Sequence, residues 1–231
     1  MQLSKRLQAI ADMISPCNVL ADVGTDHGYI PIYAVEQHIA KKAIAMDINR
    51  GPIERAASHI AGHGLEAYIE TRCCDGVAAL GAGEADCVVI AGMGGGLMQK
   101  ILEEGNTLLA GVKELILQPQ SEIGKFRFYL AEHGYAIVQE DMILEDGKFY
   151  PMMKAVHGQM KMDNPLYQEY GMFLLKEKHP VLRLYLEKSM ANCQEIQRRL
   201  QANGKAESDA RMAELKKEMQ NITSALEYYE M

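Results

Sequence analysis

The chain opens on a helical apolar periodicity, MQLSKRLQAIADMI, and then switches to short apolar runs separated by helical patterns. NVLADV (18–23), AIAMDI (43–48), AYIETRCC (67–74), DCVVIAG (86–92) and ELILQP (114–119) read as five strands. IPIYAVEQHI, PIERAASHIAGHG, GLMQKILEEG and SEIGKFRFYLAEHG read as helices, the last with Ser121 or Glu122 at its start and Gly134 past its end. Strands this continuously apolar, set between helices, are what a parallel sheet covered on both faces requires. GYAIVQEDMILE and KFYPMMKAV then flank Asp146-Gly147, a dipeptide suited to the positive φ angles of a tight hairpin, so the sheet is expected to close antiparallel. Pro151 cannot donate to a ladder, which predicts a bulge or an unpaired position there.

Strand patterns stop near residue 158. Met212, Leu215, Met219, Ile222, Leu226 and Tyr229 follow a 3-4 spacing, and Leu182, Leu186, Met190, Cys193, Ile196 and Leu200 make a similar stripe. With Asn203-Gly204 as a helix stop between them, the stripes predict an antiparallel, coiled-coil-like helical hairpin, preceded by a shorter helix near 166–178. The alternative is that both stripes pack on the first domain as core. The domains expected are therefore an α/β unit over 1–157 and a helical unit over 158–231.

Composition narrows the class. Of 231 residues 48% are hydrophobic and 24% charged, a balance that suits a soluble globular protein rather than a disordered one. No apolar run approaches the roughly 20 residues a membrane helix needs, and the N-terminus lacks a signal-peptide core, so a cytoplasmic location is expected. Cys17, Cys73, Cys74, Cys87 and Cys193 form no CxxC pair and no metal spacing with the histidines; reduced, buried thiols and no metal are expected. The net charge of -7 argues against a general nucleic-acid coat. Residues 1–157 hold 13 Lys+Arg against 20 Asp+Glu, while 158–231 hold 11 of each, so a nucleic-acid partner would have to meet local basic patches.

The chemistry gathers at the ends of the strands. Gly24-Thr25-Asp26-His27-Gly28 follows the first strand where a dinucleotide fold would carry G-x-G-x-x-G, and Asp26 stands in place of the second glycine. A carboxylate there repels a pyrophosphate, which disfavours NAD and FAD and favours a ligand with cationic character. Asp47 closes the second strand 23 positions after Gly24, where an acidic side chain can accept from both hydroxyls of a ribose. Asp75-Gly76 follows the third strand and Ala91-Gly92-Met93-Gly94-Gly95-Gly96 the fourth, bringing bare backbone to whatever reacts. Each alone is more often a turn or cap; four at successive strand ends are one pattern.

D-x-G-x-D-x-G, the acidic second-strand end, DG after the third strand and the closing hairpin resemble the class I S-adenosylmethionine-dependent methyltransferases. LSKRL, DVGTDHGYIPIY, MDIN, CCDG, AGMGG, LILQP and the helical tail resemble, across essentially the full chain, the bacterial tRNA (adenine-N1)-methyltransferases that modify adenosine 22. The resemblance implies a Rossmann-like catalytic domain, S-adenosylmethionine as cofactor, and tRNA carrying 1-methyladenosine in its D-arm region as product. It places Asp22, Gly24, His27 and Gly28 on the methionine side of the cofactor, and Asp47, Ile48 and Asn49 at the ribose. Asp75 and Gly76 fall at the adenine, with Gly92, Met93 and Gly94 at the reacting end. The Asn-Pro-Pro-Tyr motif of many amino-methyltransferases is absent, so the target base must be held by other groups.

Adenine N1 is already a nucleophile, and positioning can supply much of the rate. An acceptor near N6 would stabilise the cationic product, and Asp26 is the candidate; binding the cofactor's ammonium or capping the next helix are its alternatives. Tyr29 is the candidate to stack on a flipped adenine, or else a core tyrosine behind the loop. Lys5, Arg6, Lys41, Lys42, Lys125 and Arg127 are candidate phosphate contacts. A hairpin within one chain predicts a monomer, a dimer being the alternative. Three other functions compete: a methyltransferase with a small-molecule or protein acceptor, a nicotinamide-dependent oxidoreductase, and a non-catalytic RNA-binding scaffold.

Overall fold

The computed structural model describes residues 1–203 and 208–230. The chain divides into two compact units, Met1–Met162 and Asp163–Met231. In the first unit α1 (Lys5–Asp12) leads into β1 (Cys17–Val23), α2 (Tyr29–Glu36), β2 (Ala40–Asp47), α3 (Arg50–Gly62) and β3 (Ile69–Cys73). Then follow β4 (Cys87–Met93), α4 (Gly95–Glu104), α5 (Asn106–Leu109), β5 (Glu114–Pro119), α6 (Ile123–Glu132), β6 (Tyr135–Glu145) and β7 (Lys148–His157). The sheet order is β3-β2-β1-β4-β5-β7-β6. β1 to β5 pair in parallel, and β7 enters antiparallel between β5 and β6. This is the mostly parallel sheet with a closing hairpin that the sequence predicts.

Alternate positions on the strands are buried on both faces. Leu20, Ala43, Ala45, Cys87, Val89 and Ile116 share one core with Ile10 of α1, Ile32 of α2 and Ile60 of α3. The intervening positions, Ala21, Ile44, Val88, Ile90 and Leu117, are equally buried, as are Met98 and Leu102 of α4 and Phe126 and Leu130 of α6. A strand covered on both sides favours apolar residues, which is why β1, β4 and β5 read as apolar runs; the buried polar groups Asp22, Glu114 and Gln118 stand near strand ends. Asp146 and Gly147 turn the β6–β7 hairpin with φ of 49° and 76°. The register break in β6 falls between Ile137 and Gln139 rather than at Pro151. β5 pairs with β7 only over Leu115–Leu117 and Met153–Ala155, so Pro151 has one ladder neighbour, Met142, and needs no bulge.

Two other expectations change. Of the cysteines, only Cys87 and Cys193 are buried; Cys73 is exposed because β3 is an edge strand, and all five are free thiols. Arg127 is not a surface cation. It is 1% exposed on α6 and its Nε donates to Glu140 Oε1 of β6 at 2.7 Å, so it cannot contact a phosphate.

In the second unit α7 (Pro165–Tyr170) and α8 (Met172–Lys176) replace the single short helix expected. Gly171, with φ of 95°, breaks it. Asn164 caps α7 by accepting from Leu166 N–H at 2.9 Å, with Pro165 at the first helical position. α9 (Pro180–Asn203) and α10 (Ser208–Glu227) form the hairpin, and the Tyr229 hydroxyl donates to the His179 carbonyl at 2.8 Å, tying the end of one to the start of the other. The expected stop at Gly204 lies outside the described residues. Leu182, Leu186, Cys193, Leu215 and Ile222 are buried, but Ile196 is exposed. Among the described residues no helix is long and apolar enough to cross a membrane.

The buried Arg127–Glu140 pair yields a stability test. Glu140→Ala strands a guanidinium in the core and should cost about 3–5 kcal/mol in urea unfolding. Lys125→Ala, two residues away on an exposed pair with Glu122, should stay within about 0.5 kcal/mol.

Candidate active site

Because β1, β2, β3 and β4 run parallel in step, their carboxyl ends make one row: Val23 lies beside Met46 and Ile90, and Asp47 beside Cys73. The turn after β1 is stitched to that row. Gly24 and Thr25 both donate their N–H groups to the Met46 carbonyl, at 2.8 and 2.9 Å, and Gly28 N–H closes the turn on the Thr25 carbonyl at 2.9 Å. Gly24 sits at φ 77°, a left-handed conformation that strains any residue with a side chain, and the tip of the Met93 side chain packs over it. Asp26 takes the left-handed region too, with φ of 49°, a conformation Asp tolerates better than most residues.

Asp22, Gly24, Thr25, Asp26, His27 and Tyr29 line one pocket, together with Arg6 and Ala91. Asp22 is 5% exposed. Burial pushes its carboxyl up to about 6; the charge of Asp47 adds to this, while the nearby Thr25 hydroxyl and the Arg6 charge oppose it. Such a carboxylate gains from any cation brought beside it. Asp47 uses Oδ1 to accept the Asn49 N–H at 2.8 Å, and its other oxygen has no partner among the described residues. Ile48 is exposed beside it.

Asp26 is exposed and accepts from Arg55 at 2.6 Å, while its second oxygen lies 3.4 Å from His27 Nε2. Exposed pairs of this kind contribute little and open readily. The rings of His27, Tyr29 and His59 lie nearly parallel with centroids 5.2 to 5.7 Å apart, and His59 is anchored through Nδ1, 3.0 Å from the His27 carbonyl. Tyr29 keeps 37% of its surface open. Arg55 and His59, four residues apart on α3, escaped the sequence reading: their spacing puts them on one face, but nothing local says that the face meets the β1 turn.

The other expected residues divide. Gly28 packs against Ala56 of α3 instead of lining the pocket. Asp75 and Gly76 stand at the end of β3 but border a separate hollow with Ile101 and Glu104, and Asp75 lies 3.8 Å from Lys100. Gly92 has φ of 79°, and nitrogens of the Arg6 and Gln120 side chains each lie 3.7 Å from where a side chain on it would begin. Gly95 N–H donates to the Ser121 carbonyl at 3.1 Å, fixing the start of α4.

Arg6 is therefore turned inward. Its guanidinium donates to the buried Gln118 at 3.1 Å and lies 5.7 Å from the centre of the Tyr150 ring, so it belongs to the pocket and not to a solvated phosphate patch. Lys5 and Lys125 are exposed near the same edge, Lys5 donating its backbone N–H to Glu145 at 2.6 Å. Lys41 and Lys42 are exposed at the start of β2, roughly 17 Å along the strand from Asp47, and so do not join this group.

Comparison with known proteins agrees with this geometry. Residues 3–153 match the family described as methyltransferase domain. The chain is 35% identical to the tRNA (adenine(22)-N(1))-methyltransferase of Bacillus subtilis (strain 168), over 99% of this chain and 98% of that one. The crystal structure of the B. subtilis m1A22 tRNA methyltransferase TrmK superposes with a TM-score of 0.85 at 35% identity, covering 97% of this chain and 99% of that one. The structure of M. capricolum TrmK, in complex with S-adenosyl-homocysteine, does so with a TM-score of 0.84 at 26% identity, covering 99% of each chain.

Asp22 makes stability depend on pH in a stated direction. Its folded-state pKa of about 6 exceeds the ordinary 3.8, so the folded protein holds this proton more tightly and loses stability as pH rises between those values. Asp22→Asn removes the effect and should gain on the wild type by on the order of 3 kcal/mol between about pH 4 and pH 7 in urea unfolding. A constant difference between the two proteins across that window would contradict a buried, proton-retaining Asp22.

Proposed function

The chain belongs to the tRNA (adenine(22)-N1)-methyltransferase family, and from that premise we propose that it methylates N1 of adenosine 22 in tRNA with S-adenosylmethionine as donor. The observation that carries this reading is the buried Asp22 carboxylate lining, beside Gly24, a pocket at the end of β1. It is an anionic lining where a pyrophosphate-binding fold would need a neutral one, and it suits a ligand carrying ammonium and sulfonium charges.

The residues fit that donor. Asp22 would take the ammonium, with Gly24 and His27 beside it, where His27 Nδ1 is buried without a protein partner. Asp47 has an oxygen to spare for the ribose hydroxyls, with Ile48 and Asn49 next to it. The separate hollow that Asp75 and Gly76 border would take the adenine end of the donor, with Gly92, Met93 and Gly94 at the reacting end. When bound, S-adenosylmethionine supplies an electrophilic methyl group, which adenine N1 accepts with its ring lone pair as the ring becomes cationic.

The protein's own share is placement and charge. Tyr29, braced by His27 and His59, offers an open ring face at the pocket rim on which an unstacked adenine can rest. Asp26 lies three residues before it, and its carboxylate can accept from the adenine amino group as positive charge spreads onto N6. For that Arg55 must give up, or share, the oxygen it holds. Lys5 and Lys125 stand close enough to the same edge to meet phosphates. We take the helical unit as a further contact for tRNA.

Labelled S-adenosylmethionine offered with two tRNA transcripts, adenosine or guanosine at position 22, should give 1-methyladenosine from the first alone by nucleoside analysis. No transfer to either, with donor still bound, would send the acceptor assignment elsewhere. Asp26→Asn should lower turnover by on the order of 100-fold while leaving donor affinity within about twofold. Equal losses in both would make Asp26 a cofactor ligand.

A further inference from the structure

With no Asn-Pro-Pro-Tyr motif after β4, the groups that recognise the target base have to come from another strand end. β5 ends beside β4, with Pro119 opposite Met93, and the next residue, Gln120, donates its backbone N–H to the Met93 carbonyl at 2.8 Å. That bond pins Gln120 over the glycine turn, with its side-chain amide 3.7 Å from the point where a side chain on Gly92 would begin. Gln120 is exposed, and its amide makes no hydrogen bond among the described residues. Gln118, two residues earlier, is the contrast: fully buried, with its carbonyl taken by Arg6 and its amino group by the Pro119 carbonyl. One glutamine holds the site together, and the other is free to meet a ligand.

The chemistry of the acceptor says what a free amide can do there. For N1 to react it must be bare, so the Watson–Crick edge cannot carry recognition. The opposite edge of adenine presents N7 as an acceptor and the N6 amino group as a donor, which a glutamine amide matches with its own donor and acceptor side by side. Guanine presents two acceptors on that edge, N7 and O6, and would set O6 against the glutamine carbonyl. Building on the reading that adenine N1 is the acceptor, we propose that Gln120 is a specificity-determining residue that grips N6 and N7 of the target adenine. Its carbonyl then adds to Asp26 as a dipole near N6 when the ring becomes cationic.

The test pairs a change in the protein with a change of one atom in the RNA. Transcripts carrying adenosine or 7-deazaadenosine at position 22, the latter with C–H in place of N7, are compared with wild type, Gln120→Ala and Gln120→Glu. Wild type should lose about 5- to 150-fold in kcat/KM on the 7-deaza transcript. Gln120→Ala should lose a similar factor on adenosine and little more on 7-deazaadenosine, with donor affinity unchanged. Gln120→Glu keeps an acceptor for N6 but has no donor for N7, and it should discriminate between the transcripts far less than wild type. Unchanged kcat/KM in Gln120→Ala, or losses from variant and 7-deaza base that multiply, would overturn the proposal. Failure of wild type to methylate the adenosine transcript would overturn the adenine reading itself and this proposal with it.

Discussion

Two backbone N–H groups, those of Gly24 and Thr25, converge on one carbonyl, that of Met46. Everything at the carboxyl edge of the sheet depends on this bifurcated anchor. It ties the turn after β1 to the end of β2, so the carboxylates of Asp22 and Asp47, which come from different strands, are held near the same edge. The same logic repeats along the edge. Cys74 N–H donates to the Asp47 carbonyl and Gln120 N–H to the Met93 carbonyl, each loop pinned to the strand beside it. Parallel strands make this possible, because their last carbonyls all point past the same edge with no return turn to cover them.

Burial does the electrostatic work at this edge. Asp22 is almost fully buried on the pocket wall and Asp47 adds negative charge beside it, so its ionised form carries a cost that a nearby cation would offset. That is selection by complementarity rather than by shape alone. Asp26, by contrast, stands in solvent with Arg55 on one oxygen, and an exposed ion pair holds its geometry without locking it. The end of β1 and the turn after it thus hold one buried carboxylate and one open to solvent.

Most of the architecture was legible because it rests on local patterns. The apolar runs of β1, β4 and β5, the Asp146-Gly147 turn and the a/d stripes of α9 and α10 each declare themselves within ten or so residues. What escaped was set by partners distant in sequence. Arg127 reads as a surface cation until β6 brings Glu140 beneath it, and Arg6 reads as a solvated charge until β5 brings up Gln118. Arg55 joins the site only because α3 packs beside the β1 turn. Gly171 ended a helix that its neighbours would have continued, since a φ of 95° depends on where the chain must go next. The acidic and glycine-rich strand ends were visible because that motif is spaced by the fold; the pocket side chains were not, because tertiary packing delivers them.

The inward turn of Arg6 bears on how the molecule is made. α1 precedes every strand of the sheet in the chain, yet Lys5 rests on Glu145 of β6 and Arg6 on Tyr150 of β7, the last strands of the same unit. A nascent chain can assemble β1 to β3 and their helices long before those partners exist. Its first helix has no seat until residue 150 has emerged, and the cation of the pocket has no fixed position. The Arg6 side of the pocket is thus set by the end of the unit folding back onto its beginning, so the pocket is a product of the whole sheet and not only of the strands whose ends surround it.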